Sequence, residues 1–145
     1  MKKLLLILLL GIVLTGCGTG NEKASQGGSG IVAGEVQSTI EPLSSQIYQY
    51  EVKNQTEEEI KLDFTSSQRF DYSIKTSKGK DVYLFSSVAM FLQATGEEKI
   101  QSGESLTYEI DLKDVGLSPG DYVLTVWMTP KDGKAYSISK EFKVE

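Results

Sequence analysis

Residues 105–112 read Ser-Leu-Thr-Tyr-Glu-Ile-Asp-Leu, with Leu106, Tyr108, Ile110 and Leu112 at every second position. Side chains two residues apart share one face only in an extended chain, so this spacing predicts a strand with one face buried. The same period recurs in Tyr48, Tyr50 and Val52, in Ile60, Leu62 and Phe64, in Phe70, Tyr72 and Ile74, and in Tyr122, Leu124 and Val126. Turn signals separate the runs. Ser77-Lys78-Gly79-Lys80 and Pro130-Lys131-Asp132-Gly133-Lys134 are the strongest, since Gly takes positive φ without strain and Asp-Gly favours a tight hairpin. No stretch sustains a helical period. Seven to nine short strands are expected, and such a set closes as a β-sandwich.

Other stretches are less regular. Residues 31–40 keep no single phase and suit either an edge strand or an extension of a tether, and Pro42 ends that stretch because it cannot donate to a ladder. Residues 87–92, Ser-Val-Ala-Met-Phe-Leu, are apolar without period and fit a strand that changes sheets or a single helical turn. Residues 95–98 suit a loop, with Ile100 an isolated apolar anchor. In the last strand Ile138, Phe142 and Val144 share their phase with Lys140, which points to a partly exposed edge. Leu117-x-x-Gly120-x-Tyr122 resembles the tyrosine corner of immunoglobulin-like sandwiches, where a Tyr hydroxyl bonds back to upstream backbone. The expected fold is therefore an all-β, immunoglobulin-like β-sandwich over residues 31–145.

The amino terminus is of another kind. Lys2 and Lys3 precede an uninterrupted apolar run at 4–14, well short of the roughly 20 residues of a spanning helix. Leu14-Thr15-Gly16-Cys17 follows and resembles the lipobox of bacterial lipoproteins, in which the Cys takes a diacylglycerol after the leader is cut. Residues 1–16 are thus expected to be a signal peptide. Residues 17–30 are expected to be a lipidated Cys17 with a glycine-rich tether, and the domain to be membrane-anchored on the extracytoplasmic side. Cys17 is the only cysteine, so no intrachain disulfide forms.

Composition removes whole classes of chemistry. The 145 residues include no histidine, which excludes His-based triads, imidazole acid–base catalysis and most transition-metal sites. A net charge of −5 argues against nucleic-acid binding. The glycines at 27, 28 and 30 have no strand before them and no helix after, so they make no phosphate loop. Glu57-Glu58-Glu59 reads as solvated turn charge rather than a cation site, and Asn54-x-Thr56 as a hydrogen-bonded turn. A non-enzyme with no cofactor and no metal is expected.

A protein-binding surface is the sharper candidate, because loops held on a rigid sandwich commonly recognise partners. The polar break Ser66-Ser67-Gln68-Arg69 is such a loop, with Arg69 placed to make contacts, to pair with Asp71 or to cover a sheet edge. Phe85, and with it Met90 and Phe91, would add apolar anchors where exposed and core where not. Trp127 is out of phase with the Tyr122 set, facing solvent or a covering segment such as 31–40.

Several of these residues carry a family likeness. Asn54-x-Thr56, Phe64-x-Ser66, Gln68-Arg69-Phe70-Asp71-Tyr72, Gly79-x-x-Val82, Ser86, Met90-Phe91-x-Gln93 and Gly103-Glu104-Ser105 resemble the BsuPI-type intracellular proteinase inhibitor domain over roughly residues 48–144. The resemblance implies a domain that binds a serine proteinase through a loop. The family's founding activity is intracellular, whereas the leader of this chain implies the opposite side of the membrane. The alternative reading is a structural or assembly module of the envelope without inhibitory activity.

Overall fold

A computed structural model describes residues 34–145. The segments expected to be a signal peptide at 1–16 and a lipidated Cys17 with its tether at 17–30 lie outside the described residues. Nine strands follow in order: β1 (Val36–Pro42), β2 (Ile47–Asn54), β3 (Ile60–Phe64), β4 (Phe70–Thr76), β5 (Asp81–Leu84), β6 (Gly96–Ile100), β7 (Ser105–Asp111), β8 (Gly120–Met128) and β9 (Ala135–Val144). Two 3₁₀ turns, Phe85–Ser87 and Lys113–Val115, are the only helical pieces among the described residues. Every pairing is antiparallel, in sheets ordered β1-β2-β7, β3-β6 and β5-β4-β8-β9. The described residues form an all-β sandwich.

Alternation built this core. Tyr48, Tyr50, Val52, Leu62, Phe64, Tyr72, Ile74, Ile110, Tyr122, Leu124 and Val126 are all buried in one cluster, and Ile60, Phe70, Leu106 and Tyr108 pack against it. Phe64 is 2% exposed. Phe64→Ala is expected to cost about 3–5 kcal/mol, since the lost ring leaves a cavity that the surrounding strands fill only in part. Chemical denaturation checks this, and a loss under about 1 kcal/mol would remove Phe64 from the core. The tyrosine corner is present: the Tyr122 hydroxyl donates to the Ser118 carbonyl at 2.8 Å.

Three segments without a clear period are decided by the tertiary structure. Residues 36–42 form a full edge strand, with β1 paired to β2 from Val36 opposite Asn54 to Pro42 opposite Tyr48. Proline is tolerated there because it stands at the end of an edge strand. Residues 96–100 are not a loop but β6, paired with β3 from Phe64 opposite Gly96 to Ile60 opposite Ile100. Their charges hid the period: Glu98 shares the half-buried face and is neutralised there by Arg69, its Oε1 2.7 Å from Nε. Residues 87–92 are not a strand that changes sheets, and a single helical turn is present only where they begin. The chain closes the 3₁₀ turn at Ser87 and continues without regular structure to Thr95.

Candidate functional site

Three loops meet at one end of the sandwich, where β3 and β8 end and β4 begins. The first is the polar break at 65–69. The Ser66 Oγ accepts the Gln68 N–H at 3.2 Å, a serine turn that bends the chain between β3 and β4. The Arg69 carbonyl accepts the Thr129 N–H at 3.0 Å and the Gln68 carbonyl the Thr129 hydroxyl at 3.3 Å, fastening this loop to the end of β8. The hairpin after β8 is fastened in turn to β3, where Asp63 takes the Lys131 N–H on its carbonyl and the ammonium on its carboxylate, both at 2.8 Å.

Arg69 is a strut within this end. Its Nε donates to Glu98 at 2.7 Å, its Nη1 donates to the Ser66 carbonyl at 2.9 Å, and its guanidinium lies 4.6 Å from the Phe64 ring centroid. The expected pairing with Asp71 is replaced by the one with Glu98. Gly96 makes room for it, since a Cβ there would stand 2.3 Å from Nη2. The nearby Tyr108 hydroxyl is pushed up to about 12, first by burial and then by Glu98, with Arg69 opposing.

Asp71 is buried at 6% exposure and does other work. Its Oδ1 accepts the N–H groups of Tyr72 at 2.9 Å and Ser86 at 3.0 Å, so β4 holds the start of the second loop. That loop opens with Phe85, whose ring stacks on Tyr72 at 4.9 Å and on Phe70 at 5.9 Å. Phe85 is therefore a half-buried floor rather than an exposed anchor. Phe91 stands edge-on against it at 5.7 Å. The Phe85 carbonyl accepts the N–H groups of Val88 and Ala89 at 3.1 and 3.0 Å.

The side chains between these supports point outward. Met90 is 98% exposed, Leu92 75%, Val88 63% and Leu84 39%. From Leu84 to Thr95 no residue carries a charge. Ser67 ties this apolar loop to the polar one: its N–H donates to the Leu92 carbonyl and its Oγ accepts the Leu92 N–H, both at 2.9 Å. Ser66, Ser67, Gln68, Arg69 and Phe85 are thus brought together as the frame of a surface, and Met90 stands at its tip. Val88 and Leu92 escaped the sequence reading because isolated apolar residues look alike whether buried or presented. The signal was a long uncharged stretch that had lost its period.

Trp127 sits apart from this group. It is 5% exposed, opposite Asp71 on β4, with the Lys134 Nζ 3.7 Å from its ring centroid. Its face is covered and does not meet solvent. The β8–β9 hairpin reaches back and lays a lysine over the ring, a cation–π contact. Trp127 therefore offers no free face. A shallow dent lined by Ser77, Asp121, Glu141 and Lys143 lies at the opposite end of β8.

A family model described as intracellular proteinase inhibitor matches residues 33–133, more than half of the chain. The match starts earlier than the motifs suggest, taking in all of β1, and stops before β9. No curated protein matches the chain. The description corrects one expectation: the family is intracellular, which overturns the extracytoplasmic address drawn from the leader and its Cys17. With the sandwich, the tyrosine-rich core and the presented loop in place, the chain belongs to the BsuPI family of intracellular proteinase inhibitors.

Proposed function

We propose that this domain inhibits a serine proteinase by binding and not by turnover, through the end formed by residues 66–69 and 84–95. One observation carries the reading beyond family membership. Met90, Leu92 and Val88 are all more than half exposed, on a loop whose main chain is tied at both ends to a rigid scaffold. Large apolar side chains displayed together on a folded surface mark a contact site. Fixing them in advance lowers the ordering cost of association, so more of the contact energy appears as affinity.

The frame explains why such a loop keeps its shape. Arg69, Glu98 and the Ser66 carbonyl brace the polar loop, and Ser67 passes that rigidity to Leu92. A binding role also suits a sequence without histidine, whose serines at this end are spent on turn hydrogen bonds.

The full-length chain is expected to inhibit at least one member of a panel of purified serine proteinases with a Kd of about 1 μM or tighter. Residual hydrolysis of a chromogenic peptide measures it. Undiminished hydrolysis across the panel at about 10 μM protein would remove the inhibitor reading.

A further inference from the structure

Met90 is the most exposed large apolar residue among the described residues, and both its neighbours are held. On one side the Ala89 N–H donates to the Phe85 carbonyl at 3.0 Å. On the other, Phe91 turns inward against the Phe85 ring at 5.7 Å, and Leu92 bonds Ser67 through both its N–H and its carbonyl. Among the described residues, the main-chain N–H and C=O groups of Met90 and Phe91 make no hydrogen bond. Backbone left unpaired in a tied loop is the form in which a peptide adds itself to the edge of another protein's cleft.

Charge narrows the partner. The nearest charged residues along the chain are Asp81 before the loop and Glu97 after it. A proteinase whose primary pocket carries a carboxylate would find no lysine or arginine here, whereas a hydrophobic slot accepts a long unbranched thioether. Resting on the inhibitor reading above, we infer that Met90 enters the primary specificity pocket of a proteinase that prefers large apolar residues, with the main chain of 89–91 pairing along the cleft. Its 98% exposure means that Met90 is not part of the fold's packing, so substitutions there leave the domain folded.

The test compares the full-length chain with Met90→Asp and Met90→Arg against chymotrypsin, whose pocket is a hydrophobic slot, and trypsin, whose pocket holds an aspartate. The natural chain is expected to inhibit chymotrypsin in preference to trypsin. Met90→Asp should weaken that inhibition at least about 30-fold, as for a central contact residue, and Met90→Arg should shift preference toward trypsin. Inhibition by Met90→Asp within about threefold of the natural chain would overturn the assignment while leaving the inhibitor reading intact on another surface. So would a natural chain that prefers trypsin, or a Met90→Asp change that dissolves a self-associated state without touching inhibition. No inhibition of any proteinase by the natural chain would overturn both.

Discussion

Asn54→Asp is expected to destabilise the domain by about 4 kcal/mol, although it changes a single side-chain group. Asn54 is fully buried and uses its whole amide. Its Nδ2 donates to the Glu58 carbonyl at 2.7 Å and the Ile100 carbonyl at 2.8 Å. Its Oδ1 accepts the Thr56 N–H at 2.9 Å and the Thr56 hydroxyl at 2.7 Å. Four bonds from one side chain tie the end of β2 to the 56–58 turn and to the last residue of β6. A carboxylate in the same place would face two carbonyl oxygens without a proton to offer either. It would also be a buried charge with no cation beside it, and the cost of leaving such a charge unpaired exceeds that of losing one hydrogen bond. Urea denaturation of the variant reads the loss directly. A difference under about 1 kcal/mol would show that the corner is held by the strands alone.

Raising the pH past about 10 is expected to unfold the domain within roughly two pH units, through tyrosines that the core keeps protonated. Burial lifts the hydroxyls of Tyr50, Tyr72 and Tyr108 above their ordinary value of 10.0, with Tyr108 reaching about 12. Tyr50 also donates to the Tyr136 carbonyl at 2.6 Å, a bond that ionisation would destroy. Below pH 10 both folded and unfolded chains keep these protons, and the stability they support is fully present. Above it the unfolded chain sheds them while the folded chain does not. Each group then removes about 1.4 kcal/mol of stability per pH unit until its folded value is passed. Three such groups together remove about 4 kcal/mol per unit, against a total of roughly 5–15 kcal/mol for an ordinary domain. Tyrosinate absorbance and far-ultraviolet circular dichroism should therefore change together. Full ionisation near pH 10 with the sheet signal intact would mean that these rings are solvated.

The strand alternation was legible because it depends on neighbours in the chain. Phe64, Tyr72 and Leu124 needed only a period of two to be placed inside. Glu98 broke that rule. It lies on the face shared with Leu62, and only Arg69, a residue 29 positions away, makes its half-burial tolerable. A charged residue on an inward phase reads as a loop until its counter-ion is known. The same holds for Trp127, whose phase says outward and which is nevertheless buried, with a lysine of the following hairpin over its ring. Arg69 likewise had a polar neighbour at Asp71, but that carboxylate is taken by the Tyr72 and Ser86 N–H groups.

What the amino-acid order determined by itself is the class of the fold, its buried faces, the tyrosine corner and the exclusion of histidine chemistry, since all of these follow from residue identity and spacing. What only the tertiary structure decided is which polar residues are braces and which apolar ones are offered to a partner. Ser67 and Met90 belong to the same end only because two loops, one after β3 and one after β5, are brought together by hydrogen bonds between Ser67 and Leu92. Exposure is a property of what packs above a side chain, and for Met90 none of the described residues does.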